Sequence, residues 1–131
     1  MHRRNFLSGA ALAAPAIFAA STVNMPEKNL FVHHVYFWLK NPGNETDLKK
    51  LAEGLVKLTK IKTIKMYHIG KPADTDRGVI DTSYSLSWLT IFENKAGQDS
   101  YQTDPIHLKF VEECAGLWSK VVVYDSVDFL P

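Results

Sequence analysis

The sequence has almost none of the residues that build disulfides and metal centres. Of its 131 residues only Cys114 is a cysteine, which excludes an intramolecular disulfide and a metal–thiolate cluster. Five histidines are present, and those beyond His2 show no HxH or HxxxH spacing, so we expect no metal site. Cys114 falls in an apolar helical pattern and is expected to be buried. The fold must then be held together by a packed core, and no feature calls for a cofactor.

The sequence also lacks a strong excess of charge. It contains 15 basic and 14 acidic residues, and the part after residue 21 contains 13 basic and 14 acidic ones. No basic stripe marks a surface for nucleic acid or for an anionic membrane. We therefore expect neither as a partner and look instead for a small-molecule ligand or another protein chain.

No apolar run is long enough to span a membrane. The longest, Phe6–Ala20, falls short of the roughly 20 residues that a span needs. It follows Arg3-Arg4 and ends in small residues up to Ser21, the layout of a secretory signal. The letters RRNFL resemble a twin-arginine signal, and a Sec signal with paired arginines is the alternative. We expect residues 1–21 to be a signal peptide, 22–29 a linker and 30–131 the domain, exported to the periplasm or beyond the cell with no membrane contact after cleavage.

The remaining chain alternates between strand-like and helix-like patterns. Runs rich in aromatic and β-branched residues predict strands, and apolar residues at helical spacing predict helices. The predicted strands cover residues 30–39, 63–70, 83–92 and 120–129, and the predicted helices cover 48–58, 93–102 and 106–118. The order βαββ(αα)β predicts a ferredoxin-like α+β sandwich.

Both faces of the first strand are largely apolar. One face carries His34, Tyr36 and Trp38, and the other carries Val35, Phe37 and Leu39. The helices of such a sandwich cover only one face of the sheet. A second copy of the chain is the simplest cover for the other face, so we expect a homodimer packed sheet to sheet.

A carboxylate interrupts the apolar row of the last strand. Asp125 shares a face with Val121 and Val123, where it needs water at an edge or a polar partner. A histidine of the first strand can supply that partner, and because His33 and His34 point to opposite faces, only one of them can. We choose His34, which shares its phase with aromatic side chains. A core histidine with no role in chemistry is the alternative.

The stretch YQTDPIHLKF contains a break between two helices. Asp104 and Pro105 suit the N-cap and the first residue of the second helix, which places His107 in its first turn. The helix dipole there favours a neutral imidazole, whereas Asp104 opposes that effect, so the sequence leaves the direction of the pKa shift open. Tyr101 ends the preceding helix and can meet His107 across the corner. A plain corner with an aromatic plug is the alternative.

Four segments together resemble one known family. HHVYFWLK, YHIGKPA, YQTDPIHLKF and VVVYDSVDF, in this order over about residues 30–129, resemble the stress-responsive A/B barrel (Dabb) domain family. The resemblance implies a dimeric α+β barrel made of two ferredoxin-like units, each with a cavity between sheet and helices. Its cyclase members use the tyrosine and histidine of the Tyr…Pro-x-His element as acid–base groups. The position before the proline is commonly histidine in the family and is Asp104 here.

The resemblance implies a set of site residues and two kinds of function. Tyr101 and His107 would be the acid–base pair, with His34 and Asp125 as further catalytic groups. Tyr36, Trp38, His68 and Trp88 are expected to contact the substrate, with a place on the surface as the alternative for His68. The bulk of Tyr36 and Trp38 argues against a long alkyl chain. One function is a cofactor-independent cyclase, isomerase or lyase acting on a small aromatic or carbonyl compound. The alternative is a non-catalytic stress-response or ligand-binding dimeric module, and haem-binding or monooxygenase activity, as in the wider superfamily, is a third.

Overall fold

The computed structural model describes residues 29–130, so the expected signal peptide and nearly all of the linker lie outside the described residues. Its elements are β1 (Phe31–Leu39), α1 (Glu45–Leu58), β2 (Ile64–Gly70), β3 (Leu86–Phe92), α2 (Lys95–Thr103), α3 (Pro105–Cys114), a 3-10 turn (Ala115–Leu117) and β4 (Trp118–Val127). This is the predicted order, and the ferredoxin-like α+β fold is confirmed. The predicted element boundaries differ from the observed ones by at most four residues.

The four strands form one antiparallel sheet in the order β2-β3-β1-β4. On β1, His33 lies opposite Thr90 of β3 and Asp125 of β4. The next residue, His34, lies opposite Leu89 and Tyr124. Residues directly opposite each other in a sheet point to the same face, so this register separates the two histidines and decides which one can meet Asp125.

The core fills the space between the helices and one face of the sheet. Leu51, Leu55 and Leu58 of α1 are fully buried, and each contributes roughly 1.5–3 kcal/mol through burial of its apolar surface. They pack against the β1 side chains of Val35, Phe37 and Leu39 in a single cluster. Cys114 belongs to that cluster, as expected, and burial raises the pKa of its thiol.

The helix starts follow the capping residues in the sequence. The side chain of Asn44 caps α1 by accepting the N–H of Asp47 at 3.0 Å. At α3, the Asp104 side chain accepts the N–H of Ile106 at 2.8 Å, and Pro105 is the first helical residue. The backbone of Asp104 is extended, so α2 stops there and α3 starts in a new direction. The predicted break at this point is confirmed.

The second face of the sheet, which we call the open face, carries aromatic and apolar side chains. These side chains are His34, Tyr36, Trp38, Leu89 and Tyr124. Tyr124 keeps 66% of its surface exposed, although its ring and that of Tyr84 pack against the ring of Tyr36. Within residues 29–130, no helix has both the length and the apolar character that crossing a membrane requires.

Candidate active site

A cavity of about 170 Å³ lies between the sheet and the helices α2 and α3. Most of its wall is apolar, and six of its side chains carry a polar atom: His33, Trp88, Tyr101, Gln102, His107 and Trp118. The wall is formed by His33, Val35, Phe37, Trp88, Tyr101, Gln102, His107, Phe110, Val111, Trp118, Val121 and Val123. A dry cavity of about 150 Å³ is large enough to hold benzene, so this space suits one small ring.

His107 is held in a defined tautomer. Its Nδ1 atom lies 3.1 Å from the carbonyl oxygen of Gln102, and because a carbonyl only accepts, Nδ1 carries the hydrogen. In the neutral ring Nε2 then has a free lone pair. Burial lowers the pKa of His107, and His33 adds to this, while the Gln102 carbonyl and Asp104 oppose it. The net direction that the sequence left open is therefore downward, which favours a neutral ring that can accept a proton.

Tyr101 faces His107 across the corner between α2 and α3. The two ring centroids are 4.7 Å apart, and only 1% of the Tyr101 surface is exposed. Its hydroxyl oxygen accepts the Nε1–H of Trp88 at 2.8 Å, so the hydroxyl hydrogen remains available for donation. Burial raises the pKa of Tyr101 to about 12, and the bond from Trp88 partly offsets that rise. The phenol therefore stays protonated throughout the neutral range.

His33, and not His34, is the first-strand histidine of the cavity. Its Nδ1 atom lies 2.6 Å from Oδ1 of Asp125. The His33 ring is buried, and it meets the edge of Tyr101 at a centroid distance of 5.6 Å. Asp125 thus has the histidine partner that its place in an apolar row predicts, and it fixes the orientation of a ring in the cavity wall.

The prediction that His34 faces this cavity is wrong. His34 lies on the open face, where its ring stacks on Tyr36 at 4.4 Å and its Nδ1 atom is 3.3 Å from the Tyr36 hydroxyl. Burial, together with His68 and His33, lowers the pKa of His34. The physical reason is the strand phase: Val35, Phe37 and Leu39 are the side chains under the helices, and His33 shares their face.

Three of the four residues expected to contact the substrate also lie away from the cavity. Tyr36 and Trp38 are on the open face, where they border a separate hollow of about 270 Å³ with Asp81 and Tyr84. His68 lies opposite Leu89 in the sheet and therefore points to the same face. Trp88 alone is in the cavity wall. Tyr36 and Trp38 therefore do not narrow the cavity, and their bulk does not exclude a long alkyl chain from it.

Two functional features were missed in the sequence. The contact of Trp88 with Tyr101 depends on how α2 packs on β3, and no short-range pattern signals it. The choice of His33 did have a signal, because its face of β1 continues with three purely apolar side chains, whereas the face of His34 continues with Tyr36 and Trp38, which carry polar atoms. Within the described part of the chain, no three His, Cys, Asp or Glu side chains are placed to hold a metal ion.

The fold and this cavity define the chain as a ferredoxin-like α+β protein with an apolar pocket between sheet and helices. The model of the stress responsive A/B barrel domain (Dabb) matches residues 31–128. The chain belongs to the Dabb family. A comparison with curated proteins finds no match.

Several solved structures share the fold. A Dabb family protein with a ferredoxin-like fold from Mesorhizobium loti is 20% identical with a TM-score of 0.65, covering 78% of this chain and 99% of that chain. A dimeric ferredoxin-like protein of unknown function from Thermobifida fusca is 19% identical with a TM-score of 0.63, covering 80% and 97%. The hydroxynitrile lyase from Passiflora edulis is 18% identical with a TM-score of 0.64, covering 78% and 95%.

Proposed function

We propose that this Dabb protein carries out cofactor-independent acid–base chemistry on a small aromatic or carbonyl compound, as a cyclase, isomerase or lyase does. His107 acts as the general base and Tyr101 donates a hydrogen bond to the substrate carbonyl. His33, held by Asp125, positions the substrate against them. His33 takes the role first given to His34.

One observation carries the proposal: a proton acceptor and a proton donor meet in the same apolar cavity. His107 has Nε2 free because Nδ1 is bound to Gln102, and burial lowers its pKa, which favours the neutral ring. Tyr101 has its proton free because its oxygen is bound to Trp88. In a largely apolar cavity, such groups act on a carbonyl more strongly than they would in water.

The size of the cavity limits the substrate. About 170 Å³ accommodates one ring with a small polar substituent. The described residues that form the cavity wall include no Asp, Glu, Lys or Arg, so an uncharged substrate fits best. The Passiflora edulis structure is that of a hydroxynitrile lyase, which shows that an enzyme can be built on this fold. At 18% identity, this similarity supports a shared fold and does not transfer the activity of that enzyme to this chain.

The proposal includes a homodimer and export. The open face leaves Tyr124 66% exposed and Tyr36, Trp38 and Leu89 partly exposed, and solved structures of the same fold are dimeric. Two sheets packed through such faces would bury this surface. Export rests on the sequence features of residues 1–21, the paired Arg3-Arg4 and the apolar run that follows.

The test is turnover of a panel of one-ring phenols, aromatic aldehyde adducts and β-keto compounds by the full chain. For a compound that reacts, His107→Gln should lower kcat about 10²–10⁴-fold, the usual contribution of a general base. Tyr101→Phe should lower it about 10²-fold, the usual cost of losing one donor to a developing oxyanion. His68→Gln and Tyr124→Phe remove the same chemical groups from the open face and should change kcat less than about twofold. Full activity in His107→Gln would refute the assignment.

A non-catalytic stress-response or ligand-binding module is the second candidate, and one observation favours it. Tyr101 and Trp88 are each only 1% exposed, as expected for a hydrogen bond that stabilises the core. This alternative predicts that Tyr101→Phe lowers the melting temperature while no compound in the panel is ever turned over. Turnover of any compound that is lost in His107→Gln would rule out the non-catalytic module and support the enzyme.

A further inference from the structure

A second hollow lies outside the cavity, on the outer surface between α1 and α3. Its volume is about 420 Å³, within the roughly 300–1,000 Å³ that small-molecule sites occupy. We call it the α1–α3 groove. Its floor and sides include Gly54, Ile106 and Phe110, and its rim includes Lys57, Lys60 and Lys109.

The floor of the groove is apolar and closely packed. A Cβ atom at Gly54 would lie 2.7 Å from Cys114 Sγ and 3.0 Å from Phe110 Cδ1, so glycine lets these side chains reach α1. Ile106 remains 36% exposed at the side of the groove, although it is a large apolar residue. An apolar chain laid along this floor would cover Ile106 and the accessible part of Phe110, and burial of that surface would favour binding.

The rim of the groove is basic. Lys57, Lys60 and Lys109 face one carboxylate, Glu113. Glu113 lies 3.7 Å from Lys57 and 3.8 Å from Lys109, and within residues 29–130 no carboxylate lies within ion-pair distance of Lys60. The adjoining hollow around Lys50 and Glu53 is balanced in charge. The groove therefore has a net positive rim, which favours a ligand with an anionic head.

We propose that the α1–α3 groove binds an amphipathic anion, specifically a free medium-chain carboxylate. The alkyl chain lies along Gly54, Ile106 and Phe110, and the carboxylate lies at the lysine rim near Lys60. Apolar floor and basic rim are complementary to the two ends of such a molecule. This site is separate from the cavity, since the two share only Phe110 as a wall, and it does not depend on the proposed function.

The groove also touches the start of the helix that carries His107. Pro105 and Ile106 line it and immediately precede His107. The ring of Phe110, which separates the groove from the cavity, lies 6.4 Å from the His107 ring. A bound carboxylate should therefore shift the NMR signals of Phe110 and His107, and this gives a readout that reports the place of binding.

The test is a titration of the full chain with octanoate, followed by calorimetry and by the ring signals of Phe110 and His107. Octyltrimethylammonium, with the same chain and opposite charge, is the matched probe and should bind at least about fivefold more weakly. Lys60→Gln should weaken octanoate binding about threefold. Ile106→Ser should weaken it about tenfold through lost apolar contact.

Matched substitutions outside the groove separate a specific site from general effects. Lys49→Gln changes an exposed lysine of α1 that lies outside the groove, and Leu108→Ser changes an apolar side chain of α3 that is 55% exposed. Neither should alter octanoate affinity. Tyr101→Phe should leave binding intact, because the groove does not include Tyr101. No saturable binding up to about 10 mM, equal affinity for both probes, or unchanged affinity in Lys60→Gln and Ile106→Ser would each overturn the proposal. Because Lys60 lies on the surface, its variant remains informative even if Ile106→Ser unfolds.

Discussion

His33 and Asp125 are joined across neighbouring strands by a contact of 2.6 Å between Nδ1 and Oδ1, although 92 positions separate them in the sequence. The ring of His33 is buried, whereas the Asp125 side chain is 44% exposed. The partly exposed carboxylate of Asp125 therefore provides the hydrogen-bond partner that the buried His33 ring needs. It also holds the His33 ring against Tyr101 in the cavity wall.

Removing the charge of Asp125 should destabilise the fold. We expect Asp125→Asn to lower the free energy of unfolding by about 1–3 kcal/mol, because it weakens the partner of a buried imidazole. Urea unfolding measures this change. Asp99→Asn is the matched control, since Asp99 pairs with Lys95 at 2.9 Å on an exposed helix surface, and it should cost less than about 0.5 kcal/mol. Equal losses in the two variants would contradict the role given to Asp125.

The Tyr101 phenol should make the fold sensitive to alkaline pH. Its pKa is about 12 in the folded protein and about 10 when unfolded. A folded-state pKa above the unfolded value gives stability that is complete below pH 10 and is lost as the pH rises through 12. The loss should approach about 2–3 kcal/mol. Urea unfolding at increasing pH should show this loss of unfolding free energy in the parent chain and in Tyr124→Phe. The loss should be absent in Tyr101→Phe.

Trp88 should control the acidity of Tyr101. Its Nε1–H bond stabilises the phenolate relative to the phenol, so Trp88→Phe should raise the pKa of Tyr101 still further. Ultraviolet titration of the tyrosines, with Tyr101→Phe as the reference that lacks this signal, measures the change. A mere packing role for Trp88 would change stability without moving the Tyr101 titration. An unchanged or lowered pKa would show that this hydrogen bond is not formed in solution.

The open face should be the dimer interface. Tyr124, 66% exposed in one subunit, would be covered by the partner sheet, so Tyr124→Glu should place an unpaired charge in the interface and yield monomers. Sedimentation at micromolar concentration distinguishes the two states. Leu108→Glu introduces the same charge at an exposed apolar residue of α3 and should leave the dimer intact. A monomeric parent chain, or a dimeric Tyr124→Glu variant, would contradict this arrangement.

Much of the fold could be predicted from the sequence because its local signals agree. The cap at Asn44 and the Asp104-Pro105 break lie where helices begin. Tyr101 and His107 were correctly placed together because the break lies between them. These features depend on residues close in the sequence, where spacing determines geometry.

The first-strand histidine was placed wrongly because β1 is apolar on both faces, so alternation alone cannot tell which face the helices cover. The polar atoms that Tyr36 and Trp38 carry were a sequence signal in favour of the face of His33, and the strand register, with His33 opposite Asp125, agrees with that signal. For the same reason, the prediction that Tyr36 and Trp38 line the cavity is wrong. The Trp88–Tyr101 hydrogen bond depends on tertiary packing between β3 and α2, which no local pattern encodes.

A titration of the histidine rings by NMR tests most directly whether His107 is a neutral base in a usable cavity. The titration is recorded alone and with a panel of one-ring phenolic and β-keto compounds. Because burial lowers its pKa, the His107 ring should titrate with a midpoint below its ordinary value of about 6.5, and at least one compound should shift its signals. A His107 that titrates at the ordinary value and responds to none of the compounds would contradict the account and favour the non-catalytic module.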